Sequence, residues 1–376
     1  MRLLILSCNT GEGHNSAARA IKEYFAAQNI SCDIKDALAF WSPEKSKIIS
    51  KGHVFIYRKL PKLFGVSYRF EQNHPPRDGE ESFIYELVIR GCESLYKFLG
   101  ENDYNAIICT HVFSSMMVTE LIKRHKCKIK SYFIATDYTS SPGVSQTALD
   151  KYCIPHKKLT EEFAADGIPA AKLIPSGIPV RGDFYLRTEK STAKAALNLP
   201  ADKRIVLLMC GSMGCGPIKT LAETLPKLMP EDVQLTVICG NNRRLYKSLT
   251  KNPLHKNVQV IGFTDKMPLY MDAAELILTK PGGLSTTEAA VKALPMVFID
   301  AVPGCETKNF EFFTSHGYAD SGKTVTELCE KVCDYLENPE KLQKISARLN
   351  EDFSVCAAQN ICDYILNEVS FIYGKL

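Results

Sequence analysis

A glycine-rich stretch near the start of the chain, residues 7–18, has residue types suited to binding a polar ligand. It reads Ser-Cys-Asn-Thr-Gly-Glu-Gly-His-Asn-Ser-Ala-Ala and separates an apolar run from a helical pattern. Gly11 and Gly13 permit close backbone approach, and His14 is expected at the start of the helix. Because a helix N-terminus disfavours an imidazolium ion, His14 suits a general base near neutral pH. The alternative is a glycine-rich turn with a capping histidine, since the stretch is neither a Walker loop nor a complete GxGxxG motif.

A second stretch of the same kind occupies residues 210–217 and reads Cys-Gly-Ser-Met-Gly-Cys-Gly-Pro. It also lies between an apolar run and a helical pattern. Its three glycines, followed by Pro217 near the expected helix start, form a loop able to hold a diphosphate without a metal. The alternative is a tight turn between a strand and a helix.

The third stretch, residues 279–290, combines a lysine, a glycine pair, a hydroxyl cluster and a glutamate. Lys280, Ser285 and Thr286 could hold phosphate oxygens, while Glu288, in the first helical turn, could accept hydrogen bonds from a ribose diol. A capping box formed by Ser285 and Glu288 is the alternative. Three such loops at the ends of apolar runs favour a nucleotide-binding function.

Short apolar runs that alternate with helical patterns supply the scaffold for these loops. Such alternation is typical of a parallel, doubly wound sheet. A region rich in proline and charge, residues 175–203, separates two such arrays. We therefore expect an α/β protein of two Rossmann-like domains that face a cleft, with boundaries at 1–185 and 186–355 and a final helix at 356–376. The predicted strands are 2–7, 106–109, 132–135, 205–210, 235–239, 258–261, 276–279 and 296–298.

Composition narrows the class of protein further. The 376 residues carry a net charge of +4, too small to imply nucleic acid. The 14 cysteines include no CxxC pair, so we expect reduced thiols rather than disulfides or a zinc site. No apolar run approaches the length of a membrane span, and the N-terminus does not read as a signal peptide. These features predict a cytoplasmic protein.

The motifs together resemble the monogalactosyldiacylglycerol synthase and processive diacylglycerol glucosyltransferase family. Members are inverting glycosyltransferases with two Rossmann-like domains, the GT-B architecture. The resemblance covers most of the chain and rests on the order and spacing of segments 10–14, 17–18, 136–138, 177–181, 239–242, 262–264, 280–288 and 303–309.

This resemblance implies a role for individual residues. His14 would be the base in an N-terminal acceptor domain, with Gly11, Gly13 and Asp137 on the acceptor side. The C-terminal domain would bind the UDP-sugar, with Phe263 near the uracil and Glu288 on the ribose. The diphosphate would be held by Ser212, Met213, Gly214, Ser285 and Thr286, and the sugar by Glu306 and Asn309. The other predicted residues of the donor site are Asn241, Thr264, Lys280, Gly282 and Gly283.

Two departures from the family pattern bear on specificity. Cys305 stands where the family usually has glutamine, next to the residues expected at the sugar. The stretch after Asp137 reads Tyr-Thr-Ser-Ser-Pro-Gly and lacks the histidine and tryptophan of the lipid synthases. The acceptor therefore stays open between diacylglycerol and another molecule.

Residues 45–69 form a basic segment with interleaved apolar side chains. It contains seven lysines and arginines and no acidic residue. This pattern is suited to an anionic membrane surface, and the resemblance to lipid-acting enzymes favours that interpretation. The alternative is a solvated basic helix with a buried apolar face.

These observations predict an enzyme that transfers a hexose from UDP-glucose or UDP-galactose to a lipid hydroxyl, with diacylglycerol the favoured acceptor. Since no Asp-x-Asp triplet occurs, we expect no divalent metal and no other cofactor. The enzyme would associate peripherally with the inner face of the cell membrane through residues 45–69. The alternatives are a glycosyltransferase with another acceptor, a non-hydrolysing nucleotide-sugar epimerase and a non-enzymatic sensor of nucleotide sugars.

Overall fold

The computed structural model describes residues 1–60, 65–66, 68, 82–209, 216–251 and 254–373. The chain divides into two compact units. The first comprises residues 1–182, 302–305 and 356–376, and the second comprises residues 183–301 and 306–355. Each unit has its own parallel sheet.

The sheet of the first unit has six strands in the order β2-β1-β3-β4-β5-β6. Its strands are β1 (Arg2–Ser7), β2 (Ser31–Asp36), β3 (Ala106–Cys109), β4 (Lys130–Ile134), β5 (Lys151–Ile154) and β6 (Leu173–Pro175). The strand order reverses between β1 and β3, which pair in parallel with Leu6 opposite Cys109. Loops that follow the strands at such a reversal form the usual ligand site of an open α/β sheet. The helices between these strands are α1 (Glu12–Ala27), α2 (Pro43–Lys59), α3 (Phe83–Val88), α4 (Cys92–Gly100), α5 (Val112–His125) and α6 (Thr160–Ala165).

The sheet of the second unit also has six parallel strands, in the order β12-β11-β10-β7-β8-β9. Its strands are β7 (Arg204–Met209), β8 (Val233–Ile238), β9 (Val258–Ile261), β10 (Ala274–Thr279), β11 (Met296–Phe298) and β12 (Ala319–Ser321). Here the order reverses between β7 and β10, so the loops after these two strands meet at the reversal. The accompanying helices are α7 (Lys190–Ala196), α8 (Ile218–Thr224), α9 (Arg243–Thr250), α10 (Met267–Ala273), α11 (Gly283–Val291), α12 (Cys305–Ser315), α13 (Val325–Glu337) and α14 (Pro339–Phe353).

The last helix, α15 (Ala357–Tyr373), lies in the core of the first unit. Ile361, Ile365 and Val369 are fully buried at a spacing of four residues, which places them on one helical face. They pack in one cluster with Leu3 and Ile5 of β1. This burial attaches the end of the chain to the sheet that carries the N-terminal loop.

The expected fold class is confirmed, and the predicted strands 2–7, 106–109, 258–261 and 296–298 have the observed bounds. The others are displaced by one or two residues, and Cys210 lies outside the described residues. Four further strands, β2, β5, β6 and β12, are not among those predicted from the sequence. Among the residues with described positions, no helix combines the length and apolar character needed to cross a bilayer.

Candidate functional site

The side chain of His14 is held at the reversal point of the first sheet. Helix α1 begins at Glu12 with Gly11 as its N-cap, so His14 is the third helical residue and does not cap the helix. Its Nδ1 atom lies 2.8 Å from the carbonyl oxygen of Thr110 and 2.9 Å from the hydroxyl of Thr136. Because a carbonyl oxygen only accepts, Nδ1 carries the ring proton, and in the neutral ring Nε2 is the proton acceptor. The loops after β3 and β4 thus fix His14 in one tautomer.

A second histidine, His111, lies beside His14 and was not identified from the sequence. The two rings meet edge to face, with their centroids 4.4 Å apart. His111 is the N-cap of α5, and its Nδ1 accepts the backbone N–H of Phe113 at 3.0 Å. The signal that could have found it is its position two residues after the end of β3, the strand next to β1.

The loop after β4 contains Asp137, the third residue expected on the acceptor side, which is half-buried. Two neighbours anchor this loop to α6, since the hydroxyl of Thr139 and the backbone N–H of Ser140 both donate to Glu162 Oε1, at 2.5 and 2.8 Å. A methyl group on Gly11 would meet no atom within 4 Å, so this part of the loop after β1 is open. The structure therefore assembles the predicted acceptor-side residues around the ends of β1, β3 and β4.

Two cysteines at this sheet edge are not suited to act as nucleophiles. Burial raises the pKa of the Cys109 thiol to about 12 and raises the pKa of the Cys8 thiol well above its usual value. Both groups therefore stay protonated, and a protonated thiol is a poor nucleophile. His14 is the better candidate for proton transfer at this edge.

Cys305 donates a hydrogen bond to the hydroxyl of Tyr68 over 3.4 Å, and both residues belong to the first unit. Burial raises the pKa of Tyr68, so the phenol remains neutral. Gly65 packs directly on Pro303, and a side chain at this glycine would clash with the proline ring. The residue that replaces the family glutamine is therefore engaged with the segment around Tyr68.

In the second unit, a nearly buried ion pair joins the loop after β10 to helix α12. Lys280 Nζ lies 3.0 Å from Glu306 Oε2, and the two side chains are 6% and 13% exposed. The side-chain amide of Asn309 donates to the carbonyl oxygen of Pro281 at 2.9 Å, and Asn309 is fully buried. These contacts join the start of α12 to the loop after β10. Three residues predicted around the donor phosphate and sugar are thus brought together.

Helix α11 begins three residues earlier than a capping box at Ser285 would place it. It starts at Gly283 with Gly282 as the N-cap, and no side chain caps it. Ser285 is the third helical residue and Glu288 the sixth, so both the placement of Glu288 in the first turn and the capping-box alternative are wrong. The hydroxyl of Thr286 donates to the carbonyl oxygen of Gly282 at 2.8 Å. The backbone N–H groups of the first turn therefore have no side-chain cap, which is the arrangement that favours an anion.

The remaining donor-site candidates follow β8 and β9, which are neighbouring strands. The backbone pairing continues past both strands, since Gly240 N–H donates to the carbonyl oxygen of Gly262 at 3.1 Å. This brings the exposed Asn241 to the same edge as Phe263, whose side chain is 70% exposed. Thr264 accepts the backbone N–H of Lys266 at 3.1 Å through its hydroxyl. An exposed phenyl ring at a strand end can stack on a planar group such as a base.

The predicted diphosphate loop is only partly described. Ser212, Met213 and Gly214 lie outside the described residues. Gly216 is described and has a φ of 108°, a backbone conformation that favours glycine. The loop ends where Pro217 forms the N-cap of α8, close to the predicted helix start.

Helix α2 covers much of the basic segment and exposes apolar side chains. Ile48, Phe55 and Ile56 of α2 are 68%, 58% and 37% exposed, and Leu60, which caps the end of the helix, is 45% exposed. Ser46 and Ser50 are buried instead, and Ser46 donates to Asp36 Oδ2 at 2.5 Å. The alternative of a helix with a buried apolar face does not hold for these four residues. Four other residues of the predicted membrane-contacting segment lie outside the described residues, namely Lys62, Leu63, Phe64 and Arg69.

Comparisons with known proteins agree with this arrangement. Residues 14–180 match the family of monogalactosyldiacylglycerol (MGDG) synthase, and residues 205–361 match the glycosyltransferase family 28 C-terminal domain. The processive diacylglycerol beta-glucosyltransferases of Staphylococcus saprophyticus and Staphylococcus epidermidis are each 24% identical to the chain, and each match covers 100% of this chain and 96% of the relative.

Solved structures share the fold at lower identity. Acinetobacter baumannii MurG has a TM-score of 0.65 at 16% identity, over 97% of this chain and 99% of that chain. The UDP-GlcNAc 2-epimerase of Neisseria meningitidis, bound to UDP-GlcNAc, has a TM-score of 0.61 at 14% identity, over 98% of this chain and 100% of that chain. With both halves of the chain matched to glycosyltransferase domains in this order, the protein belongs to the monogalactosyldiacylglycerol synthase and processive diacylglycerol glucosyltransferase family.

Proposed function

We propose that the protein transfers a hexose from a UDP-sugar to a hydroxyl of diacylglycerol, with inversion at the anomeric carbon. The observation that carries the chemistry is the fixed tautomer of His14, whose Nδ1–H is held by the Thr110 carbonyl. Its Nε2 then accepts the proton of the acceptor hydroxyl. The oxygen forms a bond to the anomeric carbon while the bond to the diphosphate breaks, and UDP leaves with the electron pair.

The donor would bind at the second unit, around the loop after β10. The uncapped first turn of α11 offers backbone N–H groups to the diphosphate, and Lys280 offers a cation. These groups would stabilise the negative charge that develops on the departing UDP. The ribose would bind Glu288, and the uracil would lie against the exposed ring of Phe263. We propose that this arrangement needs no divalent metal.

The relatives named as diacylglycerol beta-glucosyltransferases support a lipid acceptor, and the glucosyl group in that name favours glucose as the sugar. The exposed apolar residues of α2 support access to that lipid from the membrane surface. The same helix carries Lys45, Lys47 and Lys51, which suit an anionic surface. We therefore propose peripheral association with the inner face of the cell membrane.

One experiment tests the activity directly. Purified protein is incubated with UDP-glucose, UDP-galactose or UDP-N-acetylglucosamine and vesicles that contain diacylglycerol and an anionic phospholipid, and the products are identified by mass spectrometry. We expect a hexosyl-diacylglycerol and stoichiometric UDP. Free UDP with an epimerised sugar, formed without lipid, would instead support the epimerase alternative. A glycosylated product from a soluble alcohol alone would identify another acceptor.

A further inference from the structure

The turn that carries His14 is not fixed at its N-cap. Helix α1 begins at Glu12 with Gly11 as the N-cap, and a glycine has no side chain with which to cap the helix. A methyl group on Gly11 would meet no atom within 4 Å, so this side of the turn is open. The turn therefore relies on side chains at other positions.

Four side chains form a chain of hydrogen bonds across this turn to the end of strand β2. Ser7, the last residue of β1, donates its hydroxyl to Asn15 Oδ1 at 2.7 Å. Asn15 donates through Nδ2 to Asn9 Oδ1 at 3.0 Å, and Asn9 donates through Nδ2 to Asp36 Oδ2 at 2.9 Å. Because Asn15 directly follows His14 in α1, the chain closes the turn around this histidine and attaches it to β2.

Asp36 determines the direction of the hydrogen bonds in this chain. A carboxylate only accepts, so the amide nitrogen of Asn9 faces it, and the amide oxygen of Asn9 is left to accept from Asn15. Asp36 is itself held in place, because its oxygens also accept the backbone N–H of Leu38 at 3.1 Å and the hydroxyl of Ser46 in α2. Hydrogen bonds to an ionised acceptor are stronger than those between neutral groups. The turn is thus anchored on a carboxylate that β2 and α2 share.

We propose that Asn9 and Asp36 are positioning residues, which hold the turn after β1 so that His14 lies where it takes the proton of the acceptor hydroxyl. They act through Asn15 and need no contact with the substrate. This inference rests on the proposed function, because it uses His14 as the base. The placement of the base matters because a misplacement of about 1 Å can slow a reaction about 100-fold.

A reciprocal exchange of the two side chains tests this role. In Asn9→Asp two carboxylates face each other with no N–H between them, so an attractive contact becomes a repulsive one. In the double variant Asn9→Asp/Asp36→Asn, the amide and the carboxylate have changed places, and the carboxylate at position 9 still accepts from Asn15. We expect Asn9→Asp to lower kcat about 10- to 100-fold at unchanged UDP affinity, as for a displaced base. The exchanged pair should recover most of this loss.

Asn105→Asp is the matched control. It adds the same charge to the first unit, but its side-chain oxygen still accepts the backbone N–H of Arg2, so kcat should match the wild type. A double-mutant cycle separates positioning from a general loss of stability. In His14→Ala, the further change Asn9→Asp should not lower the residual turnover, because no base remains to be positioned. Wild-type kcat in Asn9→Asp, no recovery in the exchanged pair, or an equal loss in the His14→Ala background would overturn the inference.

A measurement without turnover separates this inference from the proposed function. In protein labelled with 15N-histidine, the ring resonances of His14 should move in Asn9→Asp and return in the exchanged pair. Those of His125, which stacks on Tyr96, should stay unchanged. If the wild type forms no hexosyl-diacylglycerol, the proposed function fails and the spectra alone decide whether these residues place His14. Unchanged His14 resonances in Asn9→Asp would then contradict the inference.

Discussion

Lys280 and Glu306 form an ion pair of 3.0 Å that is almost wholly withdrawn from solvent, in the loop expected to receive a diphosphate. A lysine already paired with a carboxylate is neutralised before any ligand binds. A diphosphate that approaches Lys280 must therefore compete with Glu306 or share the ammonium group with it. If the diphosphate binds here as proposed, we expect it to change the stability of the second unit measurably.

Glu306→Gln should destabilise the protein and make it more responsive to UDP. Loss of one partner leaves a buried charge uncompensated, which costs about 3–5 kcal/mol. UDP would supply the missing negative charge, so its binding should raise the melting temperature of the variant more than that of the wild type. Thermal melts with and without UDP measure both effects.

The matched control is Glu311→Gln, which removes the carboxylate of the exposed pair with Lys308. Exposed pairs contribute about 0–1 kcal/mol, so its melting temperature and its response to UDP should both match the wild type. An equal UDP-induced shift in Glu306→Gln and the wild type would show that UDP does not contact Lys280.

His14→Ala should lower turnover by about 100- to 10,000-fold, the usual contribution of a general base, while UDP affinity stays unchanged. Thr136→Val removes one of the two oxygens near Nδ1 but leaves the Thr110 carbonyl, so its loss of turnover should be smaller.

His125→Ala is the control, because this histidine of the same unit stacks on Tyr96 and has no proposed role in catalysis. Steady-state rates and calorimetry with UDP separate the two effects. Wild-type turnover in His14→Ala would remove this residue from the mechanism.

Glu288→Ala should weaken UDP binding by about 1.5–3 kcal/mol, the range for hydrogen bonds to a charged group. Because Glu288 is the sixth residue of α11 and takes no part in a cap, the substitution should leave the helix start intact. Glu330→Ala removes an exposed carboxylate of α13 in the same unit and should leave UDP affinity unchanged. Calorimetry compares the three proteins. Equal affinity in all of them would show that the ribose does not contact Glu288.

Transfer should persist in EDTA, and added Mg²⁺ or Mn²⁺ should not raise the rate. The physical reason is that the leaving diphosphate would be stabilised by Lys280 and the first turn of α11, and that the sequence has no Asp-x-Asp triplet to chelate an ion. Initial rates in buffer treated with chelator measure this. A loss of activity that Mg²⁺ restores would contradict the proposal.

Two of the strands predicted with their observed bounds are buried on both faces. Leu3–Leu6 of β1 and Ile107–Ile108 of β3 are apolar runs because central parallel strands are covered by helices on both sides. By contrast, β2 reads Ser-Cys-Asp-Ile-Lys-Asp, since it is an edge strand with polar residues toward solvent. The edge strands β6 and β12 have only three residues each, too few to show a periodicity.

The sequence located His14 but not its environment. The residues that fix its tautomer are 96 and 122 positions away in the chain, and they come close only because β3 lies beside β1 and β4 beside β3. The start of α11 was misplaced for a related reason. Ser285 and Glu288 form a local capping pattern, but no local pattern indicates that the helix begins at Gly283. In the structure, the loop before this helix is held by Asn309 of α12, which is distant in the sequence.

Helix α2 should carry the protein to anionic membranes by shallow insertion. Its lysines and arginines contribute about 1 kcal/mol each near such a surface, and its exposed apolar side chains add reversible insertion. Replacing Phe55 and Ile56 with serine, or Arg58, Lys59 and Lys62 with glutamine, should reduce sedimentation with anionic vesicles and activity on lipid, but not UDP binding. Added salt should weaken binding of the wild type because it screens the charges.

The sole tryptophan, Trp41, provides an optical readout of this event, because Lys45 Nζ lies 4.1 Å from its ring centre at the start of α2. Anionic vesicles should shift its emission to shorter wavelength, and neutral vesicles should not. Leu228→Ser is the control, since this leucine is 56% exposed in the second unit and should not affect vesicle binding. If both groups of variants sediment with anionic vesicles as the wild type does, the helix is a solvated surface and the enzyme reaches its lipid through another part of the chain.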